Sequence, residues 1–235
     1  MTEVIEEHRV ILSFDDVALA VDAAGRSEGV DVTLDLVGGQ LSLIRIENRQ
    51  QGMVLGDTGA GLIMPRRGRI NFLGKEWSQL SPDIANGLRG RIGRVFSTGS
   101  WVGHLTVLEN IMLPQLHHTR RPVNELRDEA AMLSESFDLP GLPIGHFNDT
   151  LPIDLQRAAC VRAFMGQPVL ILIEESSPGC FKEMMPSLIN TIRKARDRGA
   201  AVMWLTSDKF IWRDHSIPAA RRYRMAGRKL MEVSR

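Results

Sequence analysis

The sequence predicts an α/β protein, a sheet with helices on both faces plus an inserted helical lobe. Three observations carry that reading. The stretch Leu151–Glu175, LPIDLQRAACVRAFMGQPVLILIEE, reads as a helix, a turn at Gln167–Pro168 and an apolar run, Val169–Ile173. That run is β-branched or Leu throughout without alternation, which suits a strand buried on both faces of a parallel sheet. Glu174 and Glu175 then fall at its carboxyl end, where open α/β sheets place their ligand sites. Second, strand-like and helical segments alternate along the chain, the pattern of a sheet covered by helices. Third, a block from about 99 to 158 has helical spacing and interrupts that alternation.

Taken in order, Val10–Phe14 and Val17–Val21 read as short strands around Asp15–Asp16, and Val30–Leu36 alternates like a half-buried strand. Gly38–Gly39 turns into Leu41–Ile46, a further buried strand, and a stretch of Gly and polar residues runs on to Pro65. Gly68–Leu73 reads as a strand and Gly74–Lys75 as a turn. Ser81–Leu88 reads as a helix with Ser81 as N-cap and Pro82 at its first position. Ile92–Phe96 is again strand-like. Leu105–Met112, Pro122–Phe137 and Leu155–Met165 have helical spacing, separated by connections at Pro114, Pro140–Pro143 and Gly145. Met184–Arg198 is a helix ended by Gly199. Ala200–Thr206 is an apolar strand, and Tyr223–Val233 turns at Gly227 as a terminal hairpin.

At 235 residues the chain fits one large domain, or a core with an inserted subdomain, and can bury a sizeable core. Its 43% hydrophobic and 24% charged content is that of a soluble globular protein. A net charge of +1 argues against a global field for nucleic acid, and no nucleic-acid partner is expected. The charge is uneven: residues 1–36 hold nine acids and two basic residues, residues 193–235 twelve basic residues and four acids. The basic end alternates with apolar residues, which favours a solvated helix face and strand ends over a binding tail. Cys160 and Cys180 form no metal or disulfide spacing, and Cys160 reads as core. The N-terminus begins acidic, without signal-peptide character, and no apolar run reaches the roughly 18–20 residues of a spanning helix. A cytoplasmic protein is expected.

Gly39–Ile44, Pro65, Gly68–Ile70, Gly74, Ile92–Phe96, Leu105–Ile111 (LTVLENI), Gln156–Ala163, Leu170–Glu175 and Ala200–Ser207 occur in a telling order and spacing. Through them the chain resembles, over nearly its whole length, the nucleotide-binding subunit of ATP-binding cassette (ABC) transporters. LTVLENIMLP is most similar to branches serving lipid or lipoprotein export, including those working with Mce-type lipid permeases. The resemblance implies a P-loop NTPase-like (RecA-like) core with an N-terminal antiparallel β subdomain over 1–98 and 159–235, and a helical subdomain over 99–158. It implies ATP with magnesium as cofactor, an integral-membrane permease and a second cassette subunit as partners, and a peripheral place on the inner face of the membrane.

The motif residues depart from the family's pattern. Its phosphate loop, G-x-x-x-x-G-K-[ST], cradles phosphates with glycine N–H groups, a lysine and a magnesium-binding hydroxyl. An ungapped count from Gly39 puts Ile46 and Gln51 at the glycines, Gly52 at the lysine, and Met53 and Val54 at the hydroxyls. A displaced register, Gly56–Gly61 (GDTGAG), puts Leu62 at the lysine and Ile63 at the hydroxyl. Both registers lack lysine and hydroxyl, and Gly52–Gly61 reads as a glycine-loosened connection with no ligand. Each hydrogen bond to a charged group is worth roughly 1.5–3 kcal/mol, while a helix N-terminus returns only about 0.3–1 kcal/mol. Nucleotide binding should fall on the order of a hundredfold or more, at about 1.4 kcal/mol per tenfold.

The resemblance assigns Glu174 to the magnesium-holding aspartate and Glu175 to the general base. Ser97 replaces a metal-linking Gln, Ser176 a proline, and Ser207 the switch histidine, with Asp208 after it. Leu151–Leu155 stands at the LSGGQ signature, where Pro152 has no N–H to donate, and the adenine-stacking aromatic falls near Val21. These losses touch both half-sites of a dimer. His117–His118 with Arg120–Arg121 read as surface residues, without a carboxylate or cysteine at metal-ligand spacing. Trp101 falls near the family's permease contact. The expected function is a degenerate cassette, inactive or very weak, beside a permease. A divergent ATPase using Glu175 and a soluble regulator unrelated to transport are the alternatives.

Overall fold

The computed structural model describes residues 9–19, 29–97, 100–175, 179 and 181–233. A single mixed sheet runs through the molecule. Its parallel half is built from β3 (Leu41–Arg45), β6 (Ile92–Val95), β7 (Leu170–Glu174) and β8 (Ala201–Thr206), with β9 (Arg221–Ala226) beside β3. Its antiparallel half is β1 (Val10–Leu19), β2 (Val30–Val37), β4 (Arg67–Phe72) and β5 (Lys75–Glu76), and β10 (Lys229–Glu232) joins the halves. The order is β5-β4-β1-β2-β10-β9-β3-β8-β7-β6.

The central strands are covered on both faces, as their unbroken apolar runs require. Ile171 and Ile173 of β7 and Val202 and Trp204 of β8 enter one core cluster; Leu170, Leu172, Ala201 and Met203 enter the other. On the second face lie α1 (Arg49–Gly59) and α2 (Pro82–Arg89), whose Leu55 and Ala85 join Phe14, Phe72 and Trp77. The first face carries α3 (Val107–His118), α4 (Val123–Ser136), α5 (Pro152–Phe164), α6 (Met185–Asp197) and α7 (Lys209–Arg213). Cys160 is wholly buried there, whereas Cys180 lies outside the described residues.

Several expectations change. The two strands predicted around Asp15–Asp16 are one strand, β1, with a bulge between Phe14 and Val17 and Asp16 at φ 48°. Val21 and Ser176 lie outside the described residues. Pro114 does not break the chain into a connection; it sits inside α3. A full capping box at Thr106 and Glu109 nucleates that helix, and burial of Val107, Leu108, Ile111 and Met112 holds it past the missing N–H. His117 and His118 accordingly end α3. The short α7 was not anticipated; Asp208 starts it by accepting the Phe210 N–H. The largest correction is α1, which occupies the stretch predicted to be a loose connection.

Candidate functional site

The chain passes from β3 into α1 through only three residues, Ile46, Glu47 and Asn48. Asn48 is the N-cap: its Oδ1 accepts the Gln51 N–H at 3.1 Å. Gln51 returns the contact, its Oε1 accepting the Glu47 N–H at 2.9 Å. The Ile46 N–H donates to the Thr206 carbonyl at 2.9 Å. Three backbone N–H groups at this turn, those of Ile46, Glu47 and Gln51, are thus taken by the chain itself rather than left for an anion. Glu47 adds a negative charge at the same turn.

The glycines of α1 are contact points. A Cβ on Gly52 would stand 2.8 Å from Ile46 Cδ1, and one on Gly59 3.1 Å from Leu12 Cδ2. So the predicted lysine position is a buried glycine pressed on the side chain that replaced the loop's first glycine. Met53, at the hydroxyl position, is partly exposed on the same helix. The displaced register fares no better. Its Gly56 and Gly59 are helical, and Gly61, at φ 66°, lies against the Trp77 ring after the helix end. Trp77 Nε1 donates to the Gly59 carbonyl at 3.1 Å, and Arg89 donates to the carbonyls of Ala60 and Gly61 at 3.2 and 2.6 Å. This is the carbonyl end of a helix, already capped by the Arg89 guanidinium, and its dipole points the wrong sign at a phosphate.

Under the middle of α1 lies an ion triad, buried at Arg94 and Glu174 and part-exposed at Asp57, that the sequence reading missed. Arg94 of β6 donates from Nε to Glu174 Oε1 and from Nη1 to Asp57 Oδ1, each at 2.6 Å. Burial pushes the Glu174 carboxyl up from its ordinary value, against the pull of Arg94. The signal available in the sequence was an arginine in an otherwise strand-like run, Ile92–Phe96; a buried cation demands a partner. From Arg94 a stack continues outward. Its guanidinium lies 4.6 Å from the Phe96 ring centroid, and Arg162 of α5 lies 5.5 Å from Phe96 and 4.6 Å from Trp101. Burial lowers Arg162 to about 10, and its Nη1 donates to the Ser100 carbonyl.

Glu175 is brought to the other face of the sheet. Its Oε1 accepts from Trp204 Nε1 at 3.0 Å and its Oε2 from Thr206 Oγ1 at 2.6 Å, and the side chain is buried. Thr206 Oγ1 in turn accepts the Asp208 N–H at 2.9 Å. Burial drives the Glu175 carboxyl up to about 7, opposed by the Thr206 and Trp204 hydrogen bonds. Ser97 is buried at the end of β6 and Ser207 follows β8, half-buried. Glu174 and Glu175 are neighbours in sequence but face opposite layers, as successive strand residues must. At the LSGGQ position, Leu151 is exposed and Pro152 opens α5, followed by an Asp154–Arg157 pair at 3.0 Å.

Trp101 is half-buried against the first core cluster, and a groove of about 300 Å³ lined by Phe96, Ser100, Val102, Leu113 and Arg162 opens near it. His118 packs over Gly90, and its imidazole is held below its ordinary value by burial and then by His117. No group of three or more His, Cys, Asp or Glu able to hold a metal occurs among the described residues.

Set beside known proteins, the chain is 26% identical over 184 residues to the nopaline permease ATP-binding protein P of Agrobacterium fabrum, covering 69% of this chain and 71% of that one. It is 28% identical over 142 residues to the intermembrane phospholipid transport system ATP-binding protein MlaF of Haemophilus influenzae, 58% of this chain and 52% of that protein. No protein-family model matches it. Among solved structures it superposes on a dimeric bacterial ABC transporter cassette with a TM-score of 0.77 at 18% identity, covering 95% and 99% of the two chains. It superposes on a dimeric cassette in a post-hydrolysis state bound to ADP and Pi with a TM-score of 0.75 at 19% identity, covering 95% and 98%. These likenesses show the fold: a P-loop NTPase-type α/β cassette.

Proposed function

From its likeness to ATP-binding cassette subunits, we propose that this chain is a non-hydrolysing cassette subunit of a membrane transporter, a scaffold or regulator beside a competent ATPase. The observation that carries the reading is the entrance of α1, where Asn48, Gln51 and the Thr206 carbonyl accept the N–H groups of Gln51, Glu47 and Ile46. A triphosphate there would have to break those bonds, and the family's lysine position is filled by Gly52. The residues at the nucleotide positions do not fit Mg–ATP: Gly52 and Met53 supply no cation or hydroxyl, and Arg94 already neutralises Glu174. Glu175, with both oxygens engaged in the opposite layer, is poorly placed to orient a water.

The partner classes follow from family and surface. An integral-membrane permease and a second cassette, identical or different, complete the proposed complex, with residues 99–158 as the lobe that meets the permease. The groove near Trp101 is the proposed seat of the permease's cytoplasmic segment. No helix among the described residues is long and apolar enough to cross a membrane, so attachment through the permease gives a peripheral, cytoplasmic-face location. LTVLENIMLP and the similarity to a protein named for intermembrane phospholipid transport support a lipid-type cargo.

Titration of the purified chain with a fluorescent ATP analogue, alone and with its permease, tests this. The expected affinity is a hundredfold or more below that of an intact cassette, without magnesium-dependent turnover. Micromolar binding with turnover that Glu175→Gln abolishes would establish the divergent-ATPase reading instead. Recovery of a multi-spanning permease in a pull-down separates both from a free regulator.

A further inference from the structure

Three elements converge on one buried positive centre. Glu174 ends β7, Asp57 lies on α1, and Arg94, from β6, bridges their oxygens with bonds of 2.6 Å. The Arg94 and Glu174 side chains are 7% and 3% exposed. Glu174 Oε2 is buried with no hydrogen-bond partner. Room for the triad comes from Gly56, where a Cβ would stand 2.6 Å from Glu174 Oε1 and 2.9 Å from Arg94 Nη2. Asp57 is 27% exposed, so the site opens to water on its side, and carboxylate oxygens converging from separate elements are the ligand chemistry of a hard divalent cation, which keeps water among its ligands. A guanidinium answers the same charge with fixed geometry and does not deprotonate. The buried Glu174 carboxylate, without a cation between it and the part-exposed Asp57, would carry a desolvation penalty that neither α1 nor β7 can offset.

We propose that Arg94 is a built-in counter-cation standing where a divalent metal would sit between Glu174 and Asp57, so that removing Arg94 turns this triad into a divalent-cation site. The inference concerns the ion triad alone and holds whether or not nucleotide binds. In this chain the strand end therefore needs no metal, and α1 is tied to the sheet permanently. Through Phe96, Arg162 and Trp101 the same side chain also ties the sheet to α5.

The test uses the full-length protein without nucleotide. Thermal melts and equilibrium dialysis are run with Mn²⁺ and Mg²⁺ against a chelator control. Wild-type melting should not move with either ion, and no Mn²⁺ should be retained. Arg94→Met should melt lower in chelator and bind about one Mn²⁺ per chain. It should regain about 5 °C or more at metal a hundredfold above its Kd. Adding Asp57→Asn to Arg94→Met should weaken that uptake by tenfold or more, and Arg94→Lys should stay insensitive to metal. A wild-type Mn²⁺ stabilisation that Glu174→Gln removes would overturn the proposal, as would a folded Arg94→Met that takes up no Mn²⁺. Should Arg94→Met fail to fold in either buffer, Arg94→Met/Glu174→Met decides. Recovery of folding supports the counter-cation role, and failure to recover refutes it. Because the assay contains no ATP, its outcome is separable from that of the nucleotide titration.

Discussion

A carboxylic acid walled in by apolar side chains titrates unlike one in water, and Glu175 makes the effect measurable. Its carboxyl is pushed from 4.5 up to about 7 by burial. In the unfolded chain it loses its proton near the ordinary value, whereas the folded chain retains the proton to about 7. Between those limits the folded state binds more protons, so stability falls as pH rises through that window and levels above it. Burial shifts Glu174 the same way. Converted at 1.36 kcal/mol per unit, the Glu175 contribution is on the order of 3 kcal/mol at most. Glu175→Gln should therefore raise the melting temperature at pH 8 and flatten its decline between pH 5 and 7.5, measured by thermal melts across pH. The position of Glu175 was legible in the sequence, since two acids after a buried run must sit at a strand end. Its partners were not. Trp204 and Thr206 lie about thirty residues on and arrive only through the β7–β8 register, Ile173 opposite Trp204 and Glu174 opposite Leu205.

Among the elements, α1 shows how glycines mislead. Each glycine in a helix interior costs up to about 1 kcal/mol relative to alanine, so Gly52, Gly56 and Gly59 read as a loop. In the fold each is kept for what lies against it: Ile46, the Arg94–Glu174 pair, and Leu12 with Phe14. Gly56→Ala should therefore lower the melting temperature despite its helix-propensity gain, because the new methyl strikes a buried ion pair. Asn48→Ala removes the cap and should cost about 1 kcal/mol, roughly 2–4 °C in a thermal melt for a chain of this size. The cap was visible in principle as Asn48 with Gln51 three residues on. The family count drew attention instead to the missing lysine. Pro114 errs in the same direction, since tertiary burial of α3 outweighs a local breaker.

Across the whole molecule, the sequence order of strands and helices was legible, but the lateral order of the sheet was not. Nothing local announces that β10 sits between β2 and β9, or that β3 lies between β8 and β9; those neighbours meet through long-range pairing. Because one hydrogen-bonded sheet separates two core clusters whose residues alternate along β3, β7 and β8, the faces share their backbone. Hydrogen exchange tests the proposed loss of nucleotide binding: amides of residues 46–60, 92–96 and 170–175 should be protected to the same degree with and without Mg–ATP at a concentration that just saturates an intact cassette. A cassette that closes on nucleotide would gain protection in those segments.

The entrance of α1 is held by Asn48 and Gln51, groups on the same chain whose local concentration never varies. A pocket that borrows its order from a metabolite tightens and slackens as that metabolite is plentiful or scarce. This one is set when the polypeptide folds. In the proposed two-cassette assembly it would present an unmoving wall against which the other half cycles, and cellular starvation would leave its shape as it was.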